Sequence, residues 1–151
     1  MQIATEDLTA TDVQALLHEH LADMHKNSPP GCVHALNLEG LRAKSVTFWT
    51  VRELGELVGC GALNQLDSHS GEIKSMRTAK AHRRKGVAAV LLSHILAEAK
   101  KRRYKRISLE TGSANAFMPA RLLYEGFGFT RCGAFADYKD DSFSIFMTID
   151  L

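Results

Sequence analysis

The stretch Met76-Arg77-Thr78-Ala79-Lys80-Ala81-His82-Arg83-Arg84-Lys85-Gly86-Val87-Ala88 decides how this chain is read. It closes a segment of strand character (72–78), crosses a short basic loop and opens an amphipathic helix predicted over 86–103. The first turn of a helix leaves backbone N–H groups without internal partners, and the helix dipole adds positive potential there. Such an end suits a phosphate or diphosphate. Gly86 has no Cβ, so a ligand can approach the backbone closely. Arg83, Arg84 and Lys85 surround it with positive charge, and Met76, Arg77, Thr78, Val87 and Ala88 complete the candidate binding set. GxxxxGK[ST] is absent, which excludes a P-loop, and no GxGxxG follows a strand, which leaves a dinucleotide fold unsupported.

Charge distribution points the same way. Between residues 74 and 106 lie twelve of the nineteen Lys and Arg residues, against one acid, Glu98, although the net charge of the whole chain is only +2. A cluster of this kind concentrates an anionic, phosphorylated ligand. The run Lys100-Lys101-Arg102-Arg103-Tyr104-Lys105-Arg106 has the composition of a nucleic-acid patch. It reads better as a solvated helix end whose cations suit the negative C-terminal dipole, so no nucleic-acid partner is expected.

The 151 residues are expected to form one domain, 1–151, with 45% hydrophobic and 24% charged residues, as in ordinary soluble proteins. Cys32, Cys60 and Cys132 are odd in number and lack CxxC spacing, which argues against a disulfide framework or a zinc site. His18-Glu19-His20 is not the HExxH pattern, and no metal is expected. The first residues show no basic and apolar leader, and no apolar run is long enough for a bilayer. A cytoplasmic protein without membrane contact is the expectation.

Working outward, residues 3–6 predict a short strand. Thr9 or Thr11 caps a helix to about His25, broken by Asn27-Ser28-Pro29-Pro30-Gly31, and a shorter helix follows over 36–43. Strands are predicted over 45–52, 57–66, 72–78, 106–111, 130–135 and 143–149, with a helix over 119–125. The strand–helix–strand unit in the middle requires a parallel pair, and the remainder is antiparallel. The expected fold class is α/β (α+β), a mixed and mostly antiparallel sheet of about six to seven strands with helices on both faces.

At these residues the chain resembles the GNAT superfamily of N-acetyltransferases. Its signature Gln/Arg-x-x-Gly-x-Gly/Ala is met by Arg83-x-x-Gly86-x-Ala88. Residues 115–129 look like the C-terminal motif, in which an Asn precedes a short helix ending Leu123-Tyr124-Glu125, followed by Gly126-Phe127. The resemblance implies a GNAT-type fold with a splayed central parallel pair, acetyl-CoA as co-substrate, and direct attack by an amine on the thioester. It implies Tyr124 as general acid to the departing sulfur, and Glu110 or Glu72 as the base that takes the amine proton. Glu110 is preferred, since Leu109-Glu110-Thr111 opens onto the cleft. Asn115 either bonds the pantetheine arm or caps the following helix. His34, Trp49 and Tyr138 are candidate walls of the acceptor pocket.

The function expected from this resemblance is transfer of an acetyl group to a primary amine, on a small molecule or amino acid. The alternatives are a non-catalytic acyl-CoA-binding regulatory module, or acetylation of a protein N-terminus or lysine. A homodimer is compatible with such folds.

Overall fold

In the computed structural model, which describes all 151 residues, thirteen short segments build one seven-stranded sheet and its helical cover. Strand β1 (Gln2–Thr5) leads to helix α1 (Thr11–Asn27) and a one-turn helix α2 (Leu38–Leu41). Strands β2 (Val46–Glu53), β3 (Glu56–Asp67) and β4 (Ser70–Thr78) form an antiparallel meander. A 3-10 turn at Lys80–His82 precedes helix α3 (Val87–Lys101), which carries the chain to β5 (Arg106–Gly112). A second 3-10 turn (Asn115–Phe117) runs into helix α4 (Met118–Gly126), followed by β6 (Thr130–Cys132) and β7 (Ser144–Asp150). The strand order is β1-β2-β3-β4-β5-β7-β6, and only β4 and β5 run parallel.

Each face of the sheet buries its own apolar set. On one side Val13, Leu16 and Leu17 of α1 and Leu41 of α2 pack over Phe48, Cys60 and Ala62. On the other, Val87, Leu91, Leu92, Ile95 and Leu96 of α3 cover Leu63, Ile73, Ile107 and Leu109, joined by Tyr124 of α4. Removing such a side chain from water contributes roughly 1.5–3 kcal/mol. These two layers pack the central strands from both faces.

Several boundaries differ from the sequence expectation for identifiable reasons. Ala10, with no side-chain cap, precedes α1, because the Thr9 amide and hydroxyl are both taken by Asp7 Oδ1 at 3.1 and 2.5 Å. Helix α2 is one turn long and is capped by Asn37, which accepts the Gly40 N–H at 2.9 Å. Strand β6 stops at Cys132 rather than continuing to Phe135. Phe135 instead packs edge-on against Tyr138 and Phe146, with ring centres 5.1 and 5.8 Å apart, so the chain leaves the sheet as a loop.

The central pair parts company midway. Parallel pairing runs from Ser70↔Arg106 to Ile73↔Leu109 and ends there. Against β3, the register steps from Cys60↔Arg77 to Ala62↔Lys74, so β4 has one extra residue, and Ser75 within it adopts φ 56°. A bulge of this kind bends a strand. Beyond it β4 pairs only with β3, while Glu110, Thr111 and Gly112 pair only with β7. Two strand edges with unpaired backbone groups therefore face one another across a gap inside the sheet.

Candidate active site

Two cavities meet at this gap. The larger, about 700 Å3, lies between the end of β4, the basic loop, the first turn of α3 and α4. The smaller, about 110 Å3, lies toward the segment after α1, with Glu72 and Lys74 of β4, Glu110 of β5 and Tyr138 on its walls. His20, Met24, Met76, Phe117, Ala120 and Tyr124 border both.

The larger cavity has the features of an anion cradle. Gly86 caps α3 at φ 82°, in the left-handed region that favours glycine, and nothing lies within 4 Å of where its Cβ would be. The first helical bond runs from the Val90 N–H to the Gly86 carbonyl, and no side chain caps the helix. The amides of Val87, Ala88 and Ala89 thus have no partner inside the helix. Arg83 and Arg84 line the same space, together with Met76 and Thr78. The donor set matches a diphosphate, the free strand edges match an amide-bearing arm, and the volume matches a ligand of that size.

Not every expected contributor is free to act there. The Arg77 side chain, 8% exposed, is committed to Glu19 and Asp23 on α1, both at 2.7 Å. That guanidinium holds both carboxyls below their usual pKa range and fastens α1 to β4. Lys85 is exposed and lines neither cavity. Asn115 is also exposed and outside both cavities, and it caps nothing, since Ala114 precedes the 3-10 turn and Phe117 precedes α4.

Tyr124 stands at the junction, 6% exposed, its ring edge-on to Phe129 at 5.6 Å. Burial pushes its hydroxyl pKa far up, so it keeps its proton and can serve as a donor. Its position depends on a residue that sequence reading missed. Arg121, 8% exposed, donates to the carbonyls of Gly112 (2.8 Å) and Ala114 (3.1 Å), tying α4 to the end of β5. The Phe117 ring lies where a Cβ on Gly112 would be, 2.2 Å from that point, so only glycine allows this approach. Replacing Arg121 by methionine strands both carbonyls and is expected to cost about 2–3 kcal/mol. Chemical denaturation of the variant measures that loss.

The two candidate bases stand in different surroundings. Glu72, 4% exposed, is engaged: Lys74 Nζ lies 3.2 Å from Oε2, and the Tyr138 hydroxyl donates to the same oxygen. Lys74 also donates to the Tyr138 hydroxyl at 2.7 Å. Glu110 faces the smaller cavity, and burial raises its pKa, partly offset by the Ser144 hydroxyl and by the charges of His34 and Lys74. His34 and Tyr138 pack edge-on at 5.2 Å on that cavity's wall. Trp49 does not reach it. Side-chain alternation along β2 turns Trp49 to the α3 face, where it is 3% exposed and packs on His94 at 5.7 Å beneath Arg102.

No three His, Cys, Asp or Glu side chains are grouped to hold a metal, and no helix is long and apolar enough to cross a membrane.

A mixed sheet opened at its parallel pair, with a basic helix N-terminus beside the opening, is the arrangement that the sequence resemblance implied. Residues 13–129 match the model of the acetyltransferase (GNAT) family. The chain is 56% identical over 148 residues to the uncharacterized N-acetyltransferase YsnE of Bacillus subtilis, covering 98% of each. A solved structure from Klebsiella pneumoniae superposes with TM-score 0.81 at 28% identity, covering 99% of this chain and 97% of that one. A GNAT family acetyltransferase from Elizabethkingia anophelis, solved with acetyl-CoA bound, shares the fold with TM-score 0.73 at 19% identity, covering 99% of this chain and 97% of its own. The chain belongs to the GNAT acetyltransferase family, and it is an N-acetyltransferase.

Proposed function

We propose that the protein moves an acetyl group from acetyl-CoA to the primary amine of a small acceptor, by direct attack. The observation that carries this reading is the place of Tyr124, where the 700 Å3 and 110 Å3 cavities meet at the end of the parallel ladder. Acetyl-CoA supplies the activated acyl group as a thioester. Its diphosphate is held by the amides of Val87, Ala88 and Ala89 with Arg83 and Arg84, and its arm by the edge of β4 at residues 74–78.

The acceptor enters from the smaller cavity, mostly as an ammonium at neutral pH, with a pKa near ~10.4 if it is lysine-like. Glu110 removes one proton. The raised pKa brings the carboxylate nearer to that of its proton donor, which makes it a stronger base. The nitrogen lone pair then forms the C–N bond to the acyl carbon while the C–S bond breaks, and the nitrogen gives up its second proton to solvent to leave the neutral amide. Tyr124 gives its proton to the sulfur and regains one from solvent.

Because a thiol has a pKa near ~8.5, the sulfur leaves tolerably without help. Tyr124→Phe is therefore expected to lower kcat by about 100-fold, the lower end of general acid–base effects, with KM for acetyl-CoA little changed. Steady-state kinetics with a thiol reagent give both numbers. The function itself is tested by thiol release from acetyl-CoA across a panel of small amines. Release with at least one amine is expected. Tightly bound acetyl-CoA with no acceptor consumed from amines, peptides or proteins would make the protein a binding module instead.

A further inference from the structure

The charged groups on the smaller cavity decide what an acceptor can carry beside its amine. Lys74 is the one lysine or arginine on its walls. Its side chain is 9% exposed, and its ammonium is already held by Glu72 at 3.2 Å and Tyr138 at 2.7 Å and lies 5.4 Å from the centre of the Tyr138 ring. Of the two wall imidazoles, His34 has an acid at long range, its Nε2 4.0 Å from Asp141 and without a hydrogen-bond partner. His20 is buried and neutral, its pKa lowered to about 4 by burial and then by the nearby charge of Arg77. The remaining charge facing the cavity is that of Glu110, with Asp141 close by. The cavity offers a proton acceptor for an amine and no lysine or arginine free to meet an anion.

Resting on the amine-transfer reading above, we infer that the acceptor is a small primary amine with no carboxylate beside the amine, a decarboxylated amine rather than an α-amino acid. A carboxylate entering here loses its water without gaining a free lysine or arginine, and it sits against Glu110 and Asp141. An ammonium entering here meets the carboxylate that takes its proton. The 110 Å3 volume, well below the roughly 300–1,000 Å3 of sites for drug-sized ligands, keeps the acceptor small. Tyr138, Phe143 and His34 give it an aromatic wall, which suits an uncharged remainder. Glu72 acts here as a specificity residue: by occupying Lys74 it removes the one ammonium that would receive an α-carboxylate.

Matched pairs with a single amine test this directly: tyramine against tyrosine, histamine against histidine, phenethylamine against phenylalanine. On the unaltered protein, kcat/KM is expected to favour the amine by about 100-fold or more in every pair that reacts, the scale of a like-charge mismatch at a desolvated contact. An amino acid acetylated as well as its amine overturns the inference. If neither member of any pair is acetylated, the amine-transfer reading fails for these acceptors, and calorimetric titration of the same pairs into the protein with CoA still decides the preference. Tighter binding of the amine supports it, and equal or tighter binding of the amino acid overturns it. In Glu72→Gln the freed Lys74 is expected to narrow the amine-to-amino-acid ratio by about tenfold. An unchanged ratio in a folded variant removes Glu72 and Lys74 from the explanation.

Discussion

Glu110→Gln is expected to lower kcat/KM for the acceptor by roughly 10³-fold at neutral pH, within the usual range for loss of a positioned base. The amide keeps the size and hydrogen-bonding shape of the side chain but cannot take a proton. The pH profile carries a second signature. Burial raises the Glu110 pKa, so the carboxyl stays protonated to a higher pH than an exposed glutamate, with its ordinary value near ~4.3. In the unaltered enzyme kcat/KM should rise with pH as Glu110 loses its proton. In the glutamine variant that limb should vanish, leaving only the rise from the acceptor's own ionisation. A profile that keeps the limb assigns the base elsewhere, with Glu72 the first alternative. The structure makes Glu72 the weaker candidate, because Lys74 and Tyr138 already hold its carboxylate.

The second large effect concerns Gly86. At φ 82° any L residue is strained, by roughly 1–2 kcal/mol, so every substitution lowers the melting temperature somewhat. Binding should suffer far more. A valine side chain would add bulk on the wall of the larger cavity, at a point where no atom beyond the adjoining residues lies within 4 Å of the Cβ. Loss of one or two charge-assisted hydrogen bonds, at about 1.5–3 kcal/mol each, weakens acetyl-CoA binding about 100-fold in Gly86→Val. Gly86→Ala carries the same backbone strain with less bulk and should fall between. Calorimetric titration of both variants beside their thermal unfolding separates blocked binding from backbone strain. Equal affinities in all three proteins would detach the diphosphate from this helix end.

The lining of the larger cavity was readable because many of its residues lie close together in the chain. Arg83, Arg84, Gly86, Val87 and Ala88 follow one another, and the switch from strand to helix character marks the turn that gathers them. The order of strands and helices, including the parallel pair, was legible for a similar reason: long periodic segments announce themselves. The smaller cavity was not. Its walls come from the segment after α1, from β4, from β5 and from the loop before β7, and the Tyr138 contact to Glu72 spans 66 positions. Trp49 illustrates a parity problem. In a strand buried on both faces, composition does not tell which side a residue takes, and Trp49 took the α3 side. Arg121 was missed because an arginine on an amphipathic helix ordinarily reads as solvated. Its partners are the carbonyls of Gly112 and Ala114, which leave no mark in a sequence. The sequence preferred Glu110 only for where its strand ends; the contacts of Lys74 and Tyr138 that set Glu72 apart left no mark there.

A crystal structure of the protein with acetyl-CoA bears most directly on the proposed site. The diphosphate should rest on the amides of Val87, Ala88 and Ala89, the arm should lie along residues 74–78, and the sulfur should be within hydrogen-bonding reach of the Tyr124 hydroxyl. A ligand whose diphosphate avoids the first turn of α3, or whose sulfur lies away from Tyr124, would contradict it.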